Sequence, residues 1–375
     1  MKYFRSRFQS ALQLLQGYQY PEPFHIAAKN FFKGNKKFGS KDRKAISEIA
    51  YTYLRCGNAF TACELQEGIL LSSLFLEWDD VADWNKQAIE LNLYYELPTH
   101  FFDEYSTIDY LASNLDKQIN YYPDGVLMAD FEHYNESYNV RFRPKNWAKD
   151  HTDDEVRNLG IVGVRELKVN EKLDDTTQIQ DLSSQFICDT INVDDGDKIW
   201  DVCSGAGGKS LNLSSRGNGE FYLSDIRPAI IQNAKSRFAS MYYDAKYGIA
   251  DMQKPSQTLT FGALEVEYGY FDTIIADVPC SGSGTWFRTP EHFTRFDYND
   301  LATYAARQKS IVQNAAPFLS KGGTLYYITC SVFAEENTEV RDWISENTSL
   351  KFVEEIAFDG IKQRADGMYM AKFEA

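Results

Sequence analysis

The sequence predicts a mixed α/β protein in which a doubly wound, mostly parallel sheet follows an all-helical N-terminal region. Two observations support this fold class. Apolar residues recur at helical spacing through residues 5–118, and from about residue 180 short apolar runs alternate with helical stretches. Such alternation is typical of parallel sheets buried on both faces. With 375 residues, 43% of them hydrophobic, the chain can form two or three domains.

Residues 1–120 are predicted to form the helical domain. An amphipathic helix, with Ser40 placed to cap it, is indicated by an i, i+3, i+4, i+7, i+8 stripe of Ile46, Ile49, Ala50, Tyr53 and Leu54. Residues 79–95 indicate another helix, with acidic residues in its first turn. Residues 1–60 carry 11 Lys and Arg against 3 Asp and Glu, whereas residues 61–120 carry 2 against 12. The basic segment is either a polyanion-binding surface or a solvated helix face.

Turn residues at 121–125 end the helical pattern, and the alternation in residues 138–143 indicates strands. We therefore expect a small α/β module over residues 121–178, followed by the sheet domain over 179–375. Within the sheet domain, helices are predicted over 226–240 and 300–319. Buried strands are predicted at Ile199–Val202, Phe221–Leu223, Thr273–Ala276 and Leu325–Ile328.

A glycine-rich turn that opens a helix follows the first of these strands. Its sequence is Cys203-Ser204-Gly205-Ala206-Gly207-Gly208-Lys209-Ser210. A P-loop would need glycine at position 203, and a dinucleotide fingerprint would need one at position 210, so both are disfavoured. The remaining possibility is a ligand with a ribose but no pyrophosphate, which S-adenosyl-L-methionine fits. Asp225 and Asp251 follow the next two strands, where they could accept hydrogen bonds from the ribose hydroxyls and the adenine amine.

Two cysteines stand directly after later strands of the predicted sheet. Cys280 belongs to Asp277-Val278-Pro279-Cys280-Ser281, and Cys330 to Thr329-Cys330-Ser331. A lone cysteine after an apolar strand is usually an inert buried thiol. Two of them at neighbouring strand ends suit methylation of a pyrimidine carbon, which becomes nucleophilic only after a thiolate adds to the ring.

These motifs together resemble the Nop/Sun family of RNA cytosine-5 methyltransferases over residues 125–375. The segments that carry the resemblance are DVCSGAGGKS, SDIRP, ADVPCSGSGTWFRTPE, KGGTLYYITCSVFAEEN and ADGMYMAKF. The N-terminal segment GSKDRKAISEIAYTYLRC is similar to the NusB-like domain of bacterial small-subunit rRNA members. The resemblance implies a Rossmann-like, S-adenosyl-L-methionine-dependent methyltransferase domain acting on RNA, with ribosomal RNA the favoured substrate.

The resemblance also implies the roles of individual residues. Cys330 is expected to add to carbon 6 of cytosine, Cys280 to help release the methylated base, and Asp277 to lie near ring nitrogen 3. The expected cofactor contacts are residues 203–209, Asp225, Asp251 and Asp277. The expected RNA contacts are Arg141, Arg143, Lys145 and Arg288.

Some features depart from the family pattern, and alternatives stay open. Gly205-Ala206 stands where the family usually has Ala-Pro, and Arg288 stands where it often has two arginines. DNA cytosine methyltransferases take their nucleophile from the proline-cysteine motif, whereas here a second cysteine at position 330 favours RNA. A tRNA substrate, a non-catalytic RNA assembly factor that binds S-adenosyl-L-methionine, and a small-molecule methyltransferase are the remaining alternatives.

Composition sets further expectations. No stretch reaches the ~18 apolar residues of a membrane span, no signal-peptide core is present, and the histidines lack metal-ligand spacing. We expect a monomeric, cytoplasmic protein with reduced cysteines, no metal and no membrane association. The net charge of −15 by itself argues against a nucleic-acid partner. Because the resemblance implies an RNA substrate, we expect RNA contact to be local, in residues 1–60 and 141–149.

Overall fold

The computed structural model describes residues 3–55, 64–76, 81–91, 180–286, 289–293, 295–359 and 365–375. The chain forms two compact units. Described residues of the first fall within Met1–His151 and Trp286–Phe296, and those of the second within Thr152–Thr285 and Asp297–Ala375. The module predicted over residues 121–178 lies outside the described residues, so the predicted domain boundaries stay predictions.

The described part of the first unit is helical, as the apolar spacing predicted. Its longer helices are α1 Phe4–Gly17, α2 Phe24–Gly34, α3 Ser40–Arg55, α4 Leu65–Ser72 and α5 Val81–Glu90. The predicted stripe lies on α3, where Ile46, Ile49, Ala50 and Leu54 are buried. Ser40 does not precede this helix as a cap but is its first residue, a shift of one position.

A short helix from the C-terminal half of the sequence belongs to this first unit. α9, Pro290–Phe293, carries Glu291, which is buried to 2% exposure. Its carboxylate accepts a hydrogen bond of 3.1 Å from the backbone N–H of Phe24, at the first turn of α2. This bond supplies a partner to one of the N–H groups that a helix start leaves unpaired.

The second unit contains a seven-stranded sheet in the order β3-β2-β1-β6-β7-β9-β8, and β4 and β5 form a separate hairpin. The strands are β1 Lys198–Asp201, β2 Glu220–Asp225, β3 Lys246–Ile249, β4 Leu259–Phe261, β5 Leu264–Val266, β6 Phe271–Asp277, β7 Leu319–Thr329, β8 Lys351–Asp359 and β9 Gly367–Glu374. Five neighbouring strands of the sheet are parallel, namely β3, β2, β1, β6 and β7. Strand β9 is antiparallel to both of its neighbours, β7 and β8. The predicted doubly wound α/β fold and its four predicted strands are confirmed.

Helices of the second unit follow or precede these strands. They are α6 Leu182–Asp189, α7 Gly208–Ser214, α8 Pro228–Ser240, α10 Asp300–Ala315 and α11 Thr338–Asn347. The predicted helix over 226–240 begins two residues later, at Pro228, since proline suits the first helical position. The predicted helix over 300–319 ends at Ala315 because Pro317 cannot continue it.

Side chains of each strand alternate between two cores. Trp200, Tyr222 and Tyr327 pack on one face of the sheet, and Ile199, Leu223 and Ile328 on the other. The order of strands reverses between β1 and β6, so a crevice opens there beyond their carboxyl ends. No helix within the described ranges has the length and apolar character to cross a bilayer.

Candidate active site

The glycine-rich turn connects β1 to α7 and brings its backbone to the end of β2. Gly205 and Gly207 have φ values of 54° and 75°, a region that favours glycine. A Cβ on Gly207 would lie 2.9 Å from Leu223 Cδ2. The Gly205 N–H donates to Asp225 Oδ2 at 3.1 Å. The departure from the usual Ala-Pro therefore leaves a turn whose conformation depends on glycine at both positions.

Asp225 ends β2 and is held by an arginine two residues later. Arg227 Nε donates to Oδ1 at 2.9 Å and Nη2 donates to Oδ2 at 3.0 Å. The Asp225 side chain is 5% exposed, whereas that of Arg227 is 62% exposed. Burial by itself would raise the pKa of Asp225, but hydrogen bonds from Arg227 and Gly205 outweigh it and lower that pKa. Ribose hydroxyls would have to replace the Arg227 contacts.

Asp251 follows β3, as predicted. Its Oδ2 lies 3.0 Å from Lys254 Nζ, and its Oδ1 accepts a hydrogen bond of 3.2 Å from the Gln253 N–H. The hydrogen bond from Lys254 lowers the pKa of Asp251. Because the Lys254 side chain is 80% exposed, this contact can exchange with solvent or ligand.

Asp277 ends β6 and pairs with Lys209, in the first turn of α7. Lys209 Nζ lies 2.6 Å from Asp277 Oδ2, and the two side chains are 9% and 32% exposed. Burial alone would lower the pKa of Lys209, but its attraction to Asp277 outweighs burial and raises that pKa. Lys209 is therefore a charged donor behind Asp277, a role that the sequence left unassigned.

Asp201, the last residue of β1, is a buried carboxyl that sequence reasoning did not single out. Its Oδ2 accepts a hydrogen bond of 2.6 Å from Ser210 Oγ, and its Oδ1 is buried with no partner among the described residues. Burial raises the pKa of Asp201 to about 7.

The two cysteines predicted at neighbouring strand ends are in direct contact. The Sγ atoms of Cys280 and Cys330 lie 3.4 Å apart, although 50 residues separate them. Their strands, β6 and β7, are adjacent and parallel, with Asp277 paired to Ile328. The hydrogen bond with Cys330, together with burial, raises the pKa of Cys280 well above its ordinary value. Burial also raises the pKa of the nearby Cys203 thiol, so Cys203 is not suited to act as a nucleophile.

A fully buried glutamate joins the two cysteine turns. Glu336 Oε1 accepts from the Ser281 N–H at 2.8 Å and from Gln308 Nε2 at 2.9 Å, and its Oε2 accepts from Ser331 Oγ at 2.6 Å. Tyr327 OH in turn donates to Gln308 Oε1 at 3.0 Å. Sequence reasoning assigned Glu336 no role in the site. It lies in the short helical turn Ala334–Glu336 that precedes α11, and packing encloses its carboxylate. Its position six residues after Cys330 is the sequence signal that could have identified it.

The three carboxylates that follow β2, β3 and β6 and the two contacting cysteines line one cavity of about 510 Å³. Among the predicted residues, its lining includes Cys203, Asp225, Asp251, Asp277, Cys280 and Cys330. Ser204, Gly205, Ala206, Gly207, Gly208 and Lys209 are not part of that lining. The lining also contains nine residues to which the sequence assigned no role, among them Arg227, Met252, Arg307 and Ile311. The volume falls in the range of small-ligand pockets.

The predicted RNA contacts Arg141, Arg143, Lys145 and Arg288 lie outside the described residues. Within the described ranges, no group of three or more His, Cys, Asp or Glu side chains is arranged to hold a metal ion.

Comparison with known proteins gives the family. Residues 188–374 match the protein family described as 16S rRNA methyltransferase RsmB/F. This part of the chain belongs to the RsmB/F family. The predicted membership of the Nop/Sun methyltransferases is thereby confirmed, and the glycine turn, the cavity and both cysteines fall within the RsmB/F domain.

Curated relatives agree with this assignment, and a solved structure shares the fold. Ribosomal RNA small subunit methyltransferase B of Yersinia enterocolitica is 28% identical over 204 residues, which cover 52% of this chain and 46% of the relative. The probable enzyme of the same name from Bacillus subtilis is 31% identical over 167 residues, covering 43% and 35%. The chain thus spans less than half the length of these relatives. The crystal structure of PH0851 matches with a TM-score of 0.62 and 16% identity over 99% of both chains, which shows a shared fold.

The residues of the RsmB/F domain fit the predicted cofactor, S-adenosyl-L-methionine. Carboxylates at the ends of β2, β3 and β6 give the cavity acceptors for the hydroxyl and amine groups of this ligand. Met252 and Ile311 give the same cavity apolar surface for an adenine ring.

Proposed function

We propose that this chain is an S-adenosyl-L-methionine-dependent methyltransferase that methylates carbon 5 of a cytosine in RNA. The observation that carries the proposal is the pair of thiols, Cys280 and Cys330, 3.4 Å apart in a cavity shared with Asp225 and Asp277. Membership of the RsmB/F family supports an RNA substrate. Curated relatives named for the ribosomal small subunit make its RNA the favoured substrate and a cytoplasmic location the expected one.

The cofactor, when bound, supplies an electrophilic methyl group. Asp225 and Asp251 would hold its ribose and adenine, since carboxylates accept hydrogen bonds from hydroxyl and amine groups. Asp225 would accept from these hydroxyls in place of its contacts with the Arg227 side chain. Of the turn over residues 203–209, Cys203 lines the cavity and the Gly205 N–H holds Asp225, which would fix this carboxylate for the ribose.

Cys330 is the proposed nucleophile. Its thiolate would form a bond to carbon 6 of cytosine and move the ring electrons to carbon 5. Carbon 5 would then take the methyl group as the bond between that group and the cofactor sulfur breaks, leaving S-adenosylhomocysteine. Cys280 keeps its proton at this stage because of its raised pKa, and its S–H can donate a hydrogen bond to the attacking sulfur.

Cys280 is the proposed base for release. The largest cause of its raised pKa is the neighbouring Cys330 sulfur. Once that sulfur is bonded to carbon 6 it can carry no negative charge, so the pKa of Cys280 should fall. Cys280 can then release its proton to solvent and accept the one on carbon 5. The bond between carbon 6 and the Cys330 sulfur breaks as the ring double bond re-forms, and the Cys330 thiolate is restored.

Asp277 is the proposed contact to ring nitrogen 3. Because a carboxylate and this nitrogen both accept hydrogen bonds, the contact forms through a proton shared between them, which stabilises charge developing in the ring. Lys209, 2.6 Å behind it, holds the carboxylate in place and supplies the compensating positive charge. Because the reacting base must leave its stack to reach Cys330, a loop or mispaired nucleotide is the natural target. Arg141, Arg143, Lys145 and Arg288 remain proposed RNA contacts.

Mutation of the two cysteines tests the mechanism. With unmodified 16S rRNA transcript and S-adenosyl-L-methionine, Cys330→Ala should abolish methyl transfer, while Cys280→Ala should accumulate a covalent protein–RNA adduct on a denaturing gel. Cys188→Ala is the matched control, since Cys188 is a buried cysteine outside the cavity. Full methylation by Cys330→Ala would refute the nucleophile, and absence of any adduct would refute the role of Cys280.

Two alternatives can be separated from this proposal. Bisulfite sequencing of total RNA from cells with and without the protein identifies the methylated nucleotide and thereby separates rRNA from tRNA. A non-catalytic assembly factor would bind S-adenosyl-L-methionine but transfer no radiolabelled methyl group to any RNA.

A further inference from the structure

Arg307 is a half-buried cation that lines the cavity and that the proposed mechanism does not use. It lies on α10, and its side chain lines the cavity together with Cys280, Cys330 and Asp277. Its Nε is buried and has no hydrogen-bond partner among the described residues. Its guanidinium carbon lies 5.9 Å from the Tyr304 ring centroid, a contact with an aromatic face that does not supply an acceptor for Nε. A buried, always charged N–H donor without an acceptor is costly.

Contacts of neighbouring residues place Arg307 at the thiol end of the cavity. The next residue, Gln308, donates from Nε2 to the Pro279 carbonyl at 3.1 Å, directly before Cys280. Two turns further along α10, Asn314 Nδ2 donates to the Met252 carbonyl at 2.9 Å, beside Asp251. The helix therefore runs from the thiols toward the predicted adenine end, and Arg307 comes directly before the residue that contacts Pro279.

The acidic residues of the cavity already have cationic partners. Asp225 pairs with Arg227, Asp251 with Lys254 and Asp277 with Lys209. Arg307 is therefore not needed to balance any of these three carboxylates. Its planar set of donors matches the two oxygens of a phosphate or a carboxylate.

We propose that Arg307 is an oxyanion-binding residue of the catalytic cavity and that it binds a backbone phosphate next to the target nucleotide. This inference rests on the proposed function. The same chemistry could be supplied by the carboxylate of S-adenosyl-L-methionine, and the two sources are separated by measuring RNA and cofactor binding independently. The phosphate is favoured because the base and its attached backbone approach Cys330, at the same end of the cavity as Arg307.

Equilibrium binding by the full-length protein tests the proposal. RNA binding is measured with labelled 16S rRNA transcript in the presence of S-adenosylhomocysteine, and S-adenosylhomocysteine binding is measured by calorimetry. Arg307→Gln should weaken RNA binding about tenfold to a hundredfold, as expected for loss of a charge-assisted contact. It should lower the slope of log affinity against log salt by about 0.7 to 1. Arg307→Lys should restore part of both, since it keeps the charge but not the paired donors.

Lys309→Gln is the matched control. It removes one positive charge from the same helix, but Lys309 lies near the Trp343 ring and not in the cavity lining. Its RNA affinity should remain within about twofold of the unchanged protein, and melting temperatures should show that all variants are folded.

The remaining outcomes are distinct. Weaker S-adenosylhomocysteine binding with unchanged RNA binding would support the oxyanion site and identify the carboxylate as its ligand. Unchanged binding of both by folded Arg307→Gln would overturn the proposal. An equal loss of RNA affinity in Lys309→Gln would also overturn it, because general charge would then explain the effect. If the unchanged protein methylates no RNA, the proposed function fails, whereas Arg307→Gln with normal binding refutes only the oxyanion site.

Discussion

Replacing Glu336 with alanine removes the acceptor on which three donors from different segments converge. These donors are the Ser281 N–H, Gln308 Nε2 and Ser331 Oγ, at 2.8, 2.9 and 2.6 Å. Glu336 is fully buried, so little water can replace the lost oxygens. Each hydrogen bond to a charged group contributes about 1.5 kcal/mol or more, and the removed cost of burying a carboxylate offsets part of the sum.

We therefore expect Glu336→Ala to lower the free energy of unfolding by about 3 kcal/mol. For a unit of this size, that loss corresponds to a fall of roughly 10 °C in melting temperature, measured by calorimetry. Because Ser281 follows Cys280 and Ser331 follows Cys330, the two thiols should lose their fixed separation. A misplacement of about 1 Å can cost a hundredfold in the rate of methyl transfer.

Glu336→Gln separates shape from charge. The amide oxygen can accept from Ser281 and Gln308, while the amide nitrogen donates to the hydroxyl of Ser331, which can rotate to accept. We expect a loss of about 1 kcal/mol and a rate within tenfold of the unchanged protein. Glu339→Ala, an exposed glutamate on α11, is the control. The reasoning is refuted if Glu336→Ala melts and reacts normally, or if Glu336→Gln is as damaging as alanine.

Three further predictions follow from other contacts of the site. Arg227→Gln should raise S-adenosylhomocysteine affinity, measured by calorimetry, about fivefold. The ribose hydroxyls would no longer compete with the Arg227 guanidinium for Asp225. Equal or weaker binding would contradict this. Gly207→Ala should lower the free energy of unfolding by about 2–3 kcal/mol in urea, whereas Gly205→Ala, also at positive φ but with no atom near its Cβ, should lose only about 1 kcal/mol. Because the pKa of Asp201 is raised to about 7 from an unfolded value near 3.9, the folded state holds the extra proton between these values, and stability should fall by as much as ~4 kcal/mol as pH rises through them. Asp201→Asn should remove this decline in urea unfolding at pH 5 and 8, and an equal decline in the variant would exclude Asp201 as its source.

The sequence was sufficient for features that depend on local pattern. The four predicted strands were found because apolar runs bounded by turns are set by residues close in the chain. Gly205 and Gly207 adopt positive φ angles, which glycine does more readily than any other residue type, so the sequence itself marks both positions. The prediction of a helix reaching residue 319 was wrong. It relied on apolar periodicity and ignored Pro317, and proline ends helices.

The sequence by itself thus determined the order of elements, the glycine turn and the presence of two cysteines after strands, since each is encoded within a few neighbouring residues. Only the tertiary structure decided that Cys280 and Cys330 lie 3.4 Å apart, because that distance depends on the register of β6 against β7. It likewise decided that Glu336 is enclosed and that Arg307 enters the cavity. The physical reason is that burial and pairing of a charge depend on which distant segments pack around it, and no local pattern carries that information.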